Sequence, residues 1–203
     1  KAISMIAPSY FKPRTMADLV ASCAMVAKAA PRTPFYYYDI PGMTGISGFP
    51  VDEFLKAASP LIPNLAGVKY SNPDLDAMRR AQLLEGGRFD LPYGIDERFL
   101  LALRAGATAG VGSTYNFNAG PLLRTIAAQA KGDAALAEAE QAKVQPVVDI
   151  LAKRGYMGAA KALMGHLGVP LGPARLPNGN PDAAETKKMI GELEAIGFFS
   201  WNF

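Results

Sequence analysis

The feature that most constrains this chain is a regular alternation of short apolar runs with helical patterns. Five runs recur at similar spacing: Ala2–Ala7, Pro34–Tyr38, Leu65–Tyr70, Phe89–Leu91 and Ala107–Gly112. Each is too short for a helix and carries few charges, as strands buried on both faces do. A helical pattern follows each run: Met16–Ala30, Val51–Ala58, Leu75–Leu84, Asp96–Ala105 and Pro121–Lys131. Such alternation predicts an α/β fold, a parallel sheet joined by crossover helices. The punctuation agrees, because Pro121 suits a first helical turn, Gly132 suits a helix end, and Gly86-Gly87 closes the helix before Phe89.

After Gly132 the pattern is helical only. Asp133 caps an expected long helix, Ala134–Lys153, with a kink at Pro146. Gly158–Leu167 and Pro181–Ile196 are two further helices, and the Pro- and Gly-rich stretch Val169–Asn180 between them reads as an ordered loop. A (β/α)8 TIM barrel holds eight strand–helix units in about 250 residues. The pattern here predicts the C-terminal part of such a barrel, with about five units followed by three helices. Residues 1–132 would be units 4–8, and 133–203 a helical extension of the same domain. An open doubly wound sheet is the alternative. Its nucleotide-binding form is disfavoured, because no Gly-rich phosphate fingerprint follows a strand.

Composition narrows the function. The chain has 203 residues, half of them hydrophobic, enough for one sizeable core. Its net charge is +3, with no dense Lys/Arg run, so a nucleic-acid partner is not expected. No apolar run reaches the roughly 18–20 residues of a membrane span, and no signal segment opens the chain. The single cysteine, Cys23, excludes an intrachain disulfide and suits a reducing compartment. The expectation is a cytoplasmic protein without a membrane partner. The chain starts on Lys1 and runs straight into a strand-like stretch, which predicts a piece of a longer protein whose N-terminal units are missing.

In a barrel, chemistry sits at the C-terminal strand ends and in the loops after them. Those ends are polar in an ordered way: Pro8-Ser9-Tyr10-Phe11-Lys12-Pro13, Tyr36-Tyr37-Tyr38-Asp39-Ile40-Pro41-Gly42, Gly67-Val68-Lys69-Tyr70-Ser71, Tyr93-Gly94-Ile95-Asp96-Glu97, and Gly110-Val111-Gly112-Ser113-Thr114-Tyr115-Asn116. Lys69 is the unusual member. A lysine ending an apolar strand is paired, snorkelling to the rim, or functional. Burial disfavours an ammonium, and a neutral amine attacks a ketone. Tyr38 could move protons beside it. Its plain alternative is an aromatic core residue, a strong alternative for Tyr36 and Tyr37. His166 is the only histidine, so no His-rich metal site can form, and a packing or surface place is expected for it. Cys23 falls on the apolar stripe of its helix. Trp201, with Phe198, Phe199 and Phe203, is expected to pack the C-terminal tail, and Arg79-Arg80 to be a solvated helix face.

These stretches resemble the N-acetylneuraminate lyase and dihydrodipicolinate synthase family. The resemblance runs through Phe35-Tyr36-Tyr37-Tyr38-Asp39-Ile40-Pro41, Gly67-Val68-Lys69-Tyr70-Ser71, Tyr93-Gly94-Ile95-Asp96-Glu97, the run 106–116, and Gly172-Pro173-Ala174-Arg175-Leu176-Pro177. It covers nearly the whole chain. The Phe-Tyr-Tyr-Tyr and Gly-Pro-x-Arg-Leu-Pro runs look most like the animal-type lyases. The resemblance implies a class I aldolase that needs no cofactor and no metal, with Lys69 as the Schiff-base amine and Tyr38 as the proton shuttle. It implies that Ser71, Gly94, Asp96, Glu97 and Ser113 bind the hydroxylated tail of a small-molecule substrate, a sialic acid cleaved to pyruvate and N-acetylmannosamine. Asp96 and Glu97 have a plainer alternative, since acids favour a helix N-terminus. Tyr10 matches a tyrosine that reaches into a neighbouring subunit, which implies a homo-oligomer, a tetramer built as a dimer of dimers.

Two departures qualify the resemblance. Met43 stands where the lysine-pathway synthases carry an arginine that meets a second carboxylate. A dicarboxylate-handling synthase is therefore disfavoured, while other 2-oxo-sugar-acid aldolases stay open. The family's carboxylate-binding loop, a Gly-Thr-Thr-Gly-Glu-like run, is absent from the chain. A non-catalytic fragment or paralogue is the reading from a different class, and the expectation is that residues 1–203 alone are inactive.

Overall fold

The structure, a computed structural model, describes residues 1–201. It divides into two compact units, 1–112 and a second that begins at Ser113. In the first, three strands form a parallel sheet in sequence order: β1 (Ile3–Ile6), β2 (Phe35–Asp39) and β3 (Leu65–Tyr70). The two later apolar runs continue it as single parallel bridges, Gly67 to Asp90, Tyr70 to Tyr93 and Tyr93 to Gly110. Backbone bonds support them, with Tyr70 N–H donating to Pro92 O at 2.9 Å and Val111 N–H to Tyr93 O at 2.8 Å. The bridged segments run parallel to the three strands. Both are shorter than a regular strand. Gly67 shows why they come so close: a Cβ there would lie 1.9 Å from Asp90 O.

The strand faces differ. Phe35, Tyr37 and Asp39 of β2, and Val68 and Tyr70 of β3, are buried, while Tyr36, Tyr38 and Lys69 are only half-buried. Side chains alternate across a strand, so one parity faces the helices and the other the opposite side of the sheet. The helices cover the first parity. Helix α1 (Met16–Lys28) buries Leu19, Val20, Cys23 and Ala27. It starts in a capping box, Thr15 Oγ1 accepting from Asp18 N–H and Asp18 accepting from Thr15 N–H. A short turn of helix follows β2, α2 (Pro41–Thr44). Helix α3 (Val51–Ala58) sets Phe54 against Tyr37, ring centroids 4.5 Å apart. Helix α4 (Leu75–Gln82) is capped by Asp74 and is tied to α3 by Arg80, whose guanidinium donates to both oxygens of Asp52 at 2.9 and 3.2 Å. Arg80 is thus not simply a solvated helix face, while Arg79 pairs with Asp76 at the surface. A 3-10 turn, Asp96–Arg98, leads into α5 (Phe99–Arg104).

The second unit is helical. Helix α6 (Ala119–Ala130) carries Pro121 in its first turn and ends before Gly132, at φ 75°. The expected long helix 134–153 is two helices, α7 (Ala134–Gln141), capped by Asp133, and α8 (Val144–Ala152). The reason is the place of Pro146. It is the third residue of α8, where an N–H has no acceptor within the helix anyway, so the proline starts a new helix instead of bending an old one. Helices α9 (Tyr156–His166) and α10 (Ala183–Ala195) pack on α8 around Val147, Leu151, Leu163, Met189 and Leu193. Phe198 joins that core and meets the rings of Phe199 and Trp201, as expected of the tail; Phe203 lies outside the described residues. Arg154 bridges α8 to α10 through Glu185 and Glu192. In the loop 169–180, Asn180 both accepts from Ala174 N–H and donates to Ala174 O, so the loop is ordered by its own contacts.

Removing Arg80 leaves the buried Asp52 carboxylate with only Lys56 nearby at 3.7 Å. Arg80→Ala is expected to destabilise the fold, because the buried Asp52 carboxylate loses both of its guanidinium hydrogen bonds. Chemical denaturation measures it, and an unchanged midpoint would show that the pair is incidental.

Candidate active site

The parallel register of β2 and β3 sets Tyr38 directly beside Lys69 on the half-buried face. The Lys69 amine lies over the Tyr38 ring, 4.1 Å from its centroid. A cation over an aromatic face is held by the ring quadrupole. Amine and phenol therefore belong to one patch, the first requirement for proton exchange between an attacking amine and a neighbouring acid or base.

Two more sequence-singled residues meet this pair. Ser71 follows β3 and is 6% exposed, and its hydroxyl has no hydrogen-bond partner in the structure. Gly94 lies against it: a Cβ at Gly94 would come 2.1 Å from Ser71 Oγ and 3.3 Å from Lys69 Cε. Gly94 N–H donates to Tyr70 O at 2.8 Å, so the backbone fixes that approach. A buried hydroxyl without a partner is costly. Here it stands beside a lysine, packed against Gly94.

Asp96 is buried at the start of its 3-10 turn, and Glu97 beside it is half-buried. The Asp96 carboxylate packs on the backbone of the fifth strand segment, since a Cβ at Gly112 would fall 1.6 Å from Asp96 Oδ1. Ser113 opens the second unit. It is exposed, and its Oγ lies 2.7 Å from the hydroxyl of Tyr156 on α9. Tyr10 is 89% exposed in the loop after β1, its ring edge-on to Phe11 at 4.9 Å. Met43 is exposed on α2. The structure thus joins Tyr38, Lys69, Ser71 and Gly94 through direct neighbours and sets Asp96 against Gly112. Tyr10 makes its ring contact within its own loop.

Behind Tyr38 lies a residue that motif reading passed over. Asp39 ends β2 with the opposite parity and is 5% exposed. Its Oδ2 accepts from Asn72 Nδ2 at 3.0 Å. Burial pushes its carboxyl up to about 6, with the Asn72 hydrogen bond opposing the shift. Burial raises the phenols of Tyr37 and Tyr70 as well, and Asp39's charge adds to both. The signal was present in the sequence: alternation that turns Tyr38 one way must turn Asp39 under the helices. A second such pair is Tyr36, whose hydroxyl donates to Asp90 Oδ2 at 3.0 Å.

The other candidates take plain places. His166 is exposed with its ring against Phe199, and the Cys23 thiol is buried and pushed up to about 12. Among the described residues no group of three or more His, Cys, Asp or Glu could hold a metal ion, and no helix is long and apolar enough to cross a membrane.

Comparison with known proteins places these residues in a family. The model of the dihydrodipicolinate synthetase family matches residues 1–196. The chain is 39% identical over 197 residues to the N-acetylneuraminate lyase of Gallus gallus, covering 96% of this chain and 64% of that one. It is 35% identical to the N-acetylneuraminate lyase of Homo sapiens, over 98% of this chain and 63% of the other. Among solved structures it is similar to the N-acetylneuraminate lyase of Proteus mirabilis, with TM-score 0.92, 36% identity, and coverage of 98% of this chain and 66% of that one. The lyase of Aliivibrio salmonicida gives TM-score 0.91 and 36% identity, covering 97% of this chain and 65% of its own. The chain spans a little under two thirds of the length of these relatives. The α/β fold is that of the TIM-barrel enzymes of this family.

Two outcomes are expected of the site itself. Gly94→Ala should displace the Ser71 hydroxyl, which a crystal structure of the variant would show as a changed Ser71 rotamer; an unmoved Ser71 would contradict the close approach. The second concerns pH. Because the folded carboxyl of Asp39 is raised from 3.8 to about 6, its ionised form is penalised in the fold. Stability is then fullest below the unfolded value and falls as pH rises through the folded one, by roughly 2–3 kcal/mol in all. Asp39→Asn should remove that fall, so that variant and wild type converge near pH 4 and separate above pH 6 in urea denaturation.

Proposed function

We propose that this chain, which belongs to the dihydrodipicolinate synthetase family, is the carbon–carbon lyase portion of an enzyme that cleaves N-acetylneuraminate to N-acetylmannosamine and pyruvate. The observation that carries the reading is the convergence of Lys69, Tyr38, Ser71 and Gly94 at adjoining strand ends. The relatives named N-acetylneuraminate lyase, in animals and bacteria, support the same substrate.

In this reading the sugar acid opens to its keto form and the Lys69 amine attacks C2. Loss of water gives the protonated Schiff base, an electron sink for the next step. Tyr38 takes the proton of the C4 hydroxyl, directly or through the substrate carboxylate, and the C3–C4 bond breaks. N-acetylmannosamine leaves as the aldehyde. The enamine left on Lys69 takes a proton at C3, and water releases pyruvate and the free amine. Ser71, Gly94, Asp96, Glu97 and Ser113 hold the hydroxylated tail, with the paired carboxylates accepting from sugar hydroxyls and Ser113 donating or accepting. Met43, an exposed thioether, offers no charge to a second carboxylate, which favours a sugar acid over a dicarboxylate.

The architecture follows. Residues 1–132 are read as barrel units 4–8 and 133–203 as their helical extension. The half-open face that carries Lys69 is the barrel interior, and units 1–3, with the loop that grips the substrate carboxylate, lie outside residues 1–203. On this reading the 203 residues alone are inactive. Tyr10, on an exposed tip, is read as reaching a neighbouring subunit of a tetramer, in a cytoplasmic enzyme.

Borohydride trapping tests the chemistry. Wild-type full-length protein with pyruvate should gain one reduced adduct, located at Lys69 by peptide mass, and Lys69→Ala should gain none. An adduct on another lysine, or none on any, would remove Lys69 as the nucleophile.

A further inference from the structure

We propose that Asp39, held by Asn72, is a positioning residue for this reaction: from behind the sheet it fixes the spacing of the strand ends that carry Tyr38 on one side and Lys69 and Ser71 on the other. The inference rests on the lyase reading above.

The geometry is a closed set of bonds. Asp39 neighbours Tyr38 in β2, and Asn72 neighbours Ser71 after β3. The backbone joins these ends once, Ser71 N–H donating to Asp39 O at 2.8 Å. The side chains join them again, Asn72 Nδ2 donating to Asp39 Oδ2 at 3.0 Å. The other end of the Asn72 amide is also committed, its Oδ1 accepting from Asp74 N–H at 3.1 Å. Asp74 in turn caps α4 through Ala77 N–H, and its carbonyl accepts from the Tyr70 hydroxyl. Asp39 is therefore anchored through Asn72 to the start of a helix. A slip of either strand end would break two bonds at once and leave a carboxyl buried without its donor.

Backbone bonding along β2 and β3 already sets the register, so a second tie at their ends is not needed for pairing. It lies at the last rung of the ladder, where the chain leaves the sheet. Ser71 is the residue so held, and its unpartnered hydroxyl faces Gly94 beside Lys69. The titratable groups its charge acts on are two phenols, Tyr37 of β2 and Tyr70 of β3; Tyr37 also feels Cys23 of α1, and Tyr70 feels Asp74, Tyr93 and Asp52. What acts on its carboxyl is burial and the Asn72 amide. An ionised acceptor makes the stronger bond to an amide N–H, so the tie tightens as Asp39 loses its proton, and turnover should rise with it near pH 6.

The test uses Asp39→Ala, Asn72→Ala, their double variant and Asp39→Asn in the full-length protein. Each alanine variant should lower kcat roughly 10–100-fold, the usual effect of a misplaced reacting group, with KM little changed. The double variant should be no worse than the poorer single, because both remove one tie. Asp39→Asn keeps an acceptor oxygen; it should recover most of kcat and lose the rise near pH 6. Additive losses, an unchanged kcat in Asn72→Ala, or a pH profile in Asp39→Asn identical to wild type would overturn the inference. Should Asp39→Ala fail to fold, Asn72→Ala and Asp39→Asn decide it. Wild-type protein that forms no Lys69 adduct with pyruvate would overturn the lyase reading and this inference with it, whereas a normal wild-type adduct with unaffected variants would overturn the inference alone.

Discussion

The parallel pairing of β2 with β3 is the constraint on which the rest of the site depends. It sets Tyr38 opposite Lys69 and Asp39 opposite Tyr70, one pair on each face. In a parallel ladder a shift of one residue would exchange the faces. A slip of β3 would turn Lys69 under the helices, where an ammonium is costly, and a slip of β2 would turn Asp39 toward the open side. The helix side buries Phe35, Tyr37 and Tyr70, with Tyr37 packed on Phe54 of α3. The apolar face thus specifies where the face carrying Lys69 and Tyr38 points.

Three glycines then bring the strand ends together. Gly67 admits the backbone of Asp90, Gly94 admits Ser71, and Gly112 admits the Asp96 carboxylate. At each a methyl group would meet an atom at about 2 Å or less. Their use here is close approach. The polar groups of the patch are near one another because the backbone between them carries nothing.

Much of this was legible in the sequence, for a physical reason. Buried parallel strands read as short continuous apolar runs and amphipathic helices as apolar positions three or four apart, so the strand Leu65–Tyr70 and the helix Val51–Ala58 have the expected bounds. Caps are local chemistry, and Asp133 caps the helix it precedes. What was not legible depends on partners distant in sequence. The run 89–91 does not announce that it pairs through single bridges, because its pairing is set by Gly67. The helix expected over 134–153 divides because a proline is tolerated in a first turn and not in an interior, and sequence alone does not say which turn it occupies. Arg80 reads in sequence as one charge of a solvated pair, and its partner Asp52 is 28 residues away.

Asp39 shows the same limit from inside the site. The run Tyr36-Tyr37-Tyr38-Asp39 reads as one polar strand end, and a carboxylate next to the tyrosine proposed to move protons invites a place in the chemistry. Parity decides otherwise. If Tyr38 faces the amine, Asp39 faces the core, and a buried carboxyl needs a donor. The donor is Asn72, whose own neighbour is Ser71. Alternation therefore assigns two roles in one step, contact to the residue facing out and support to the residue facing in. Within a strand, a residue adjacent in sequence to Tyr38 lies on the opposite face, and the two share only the backbone between them.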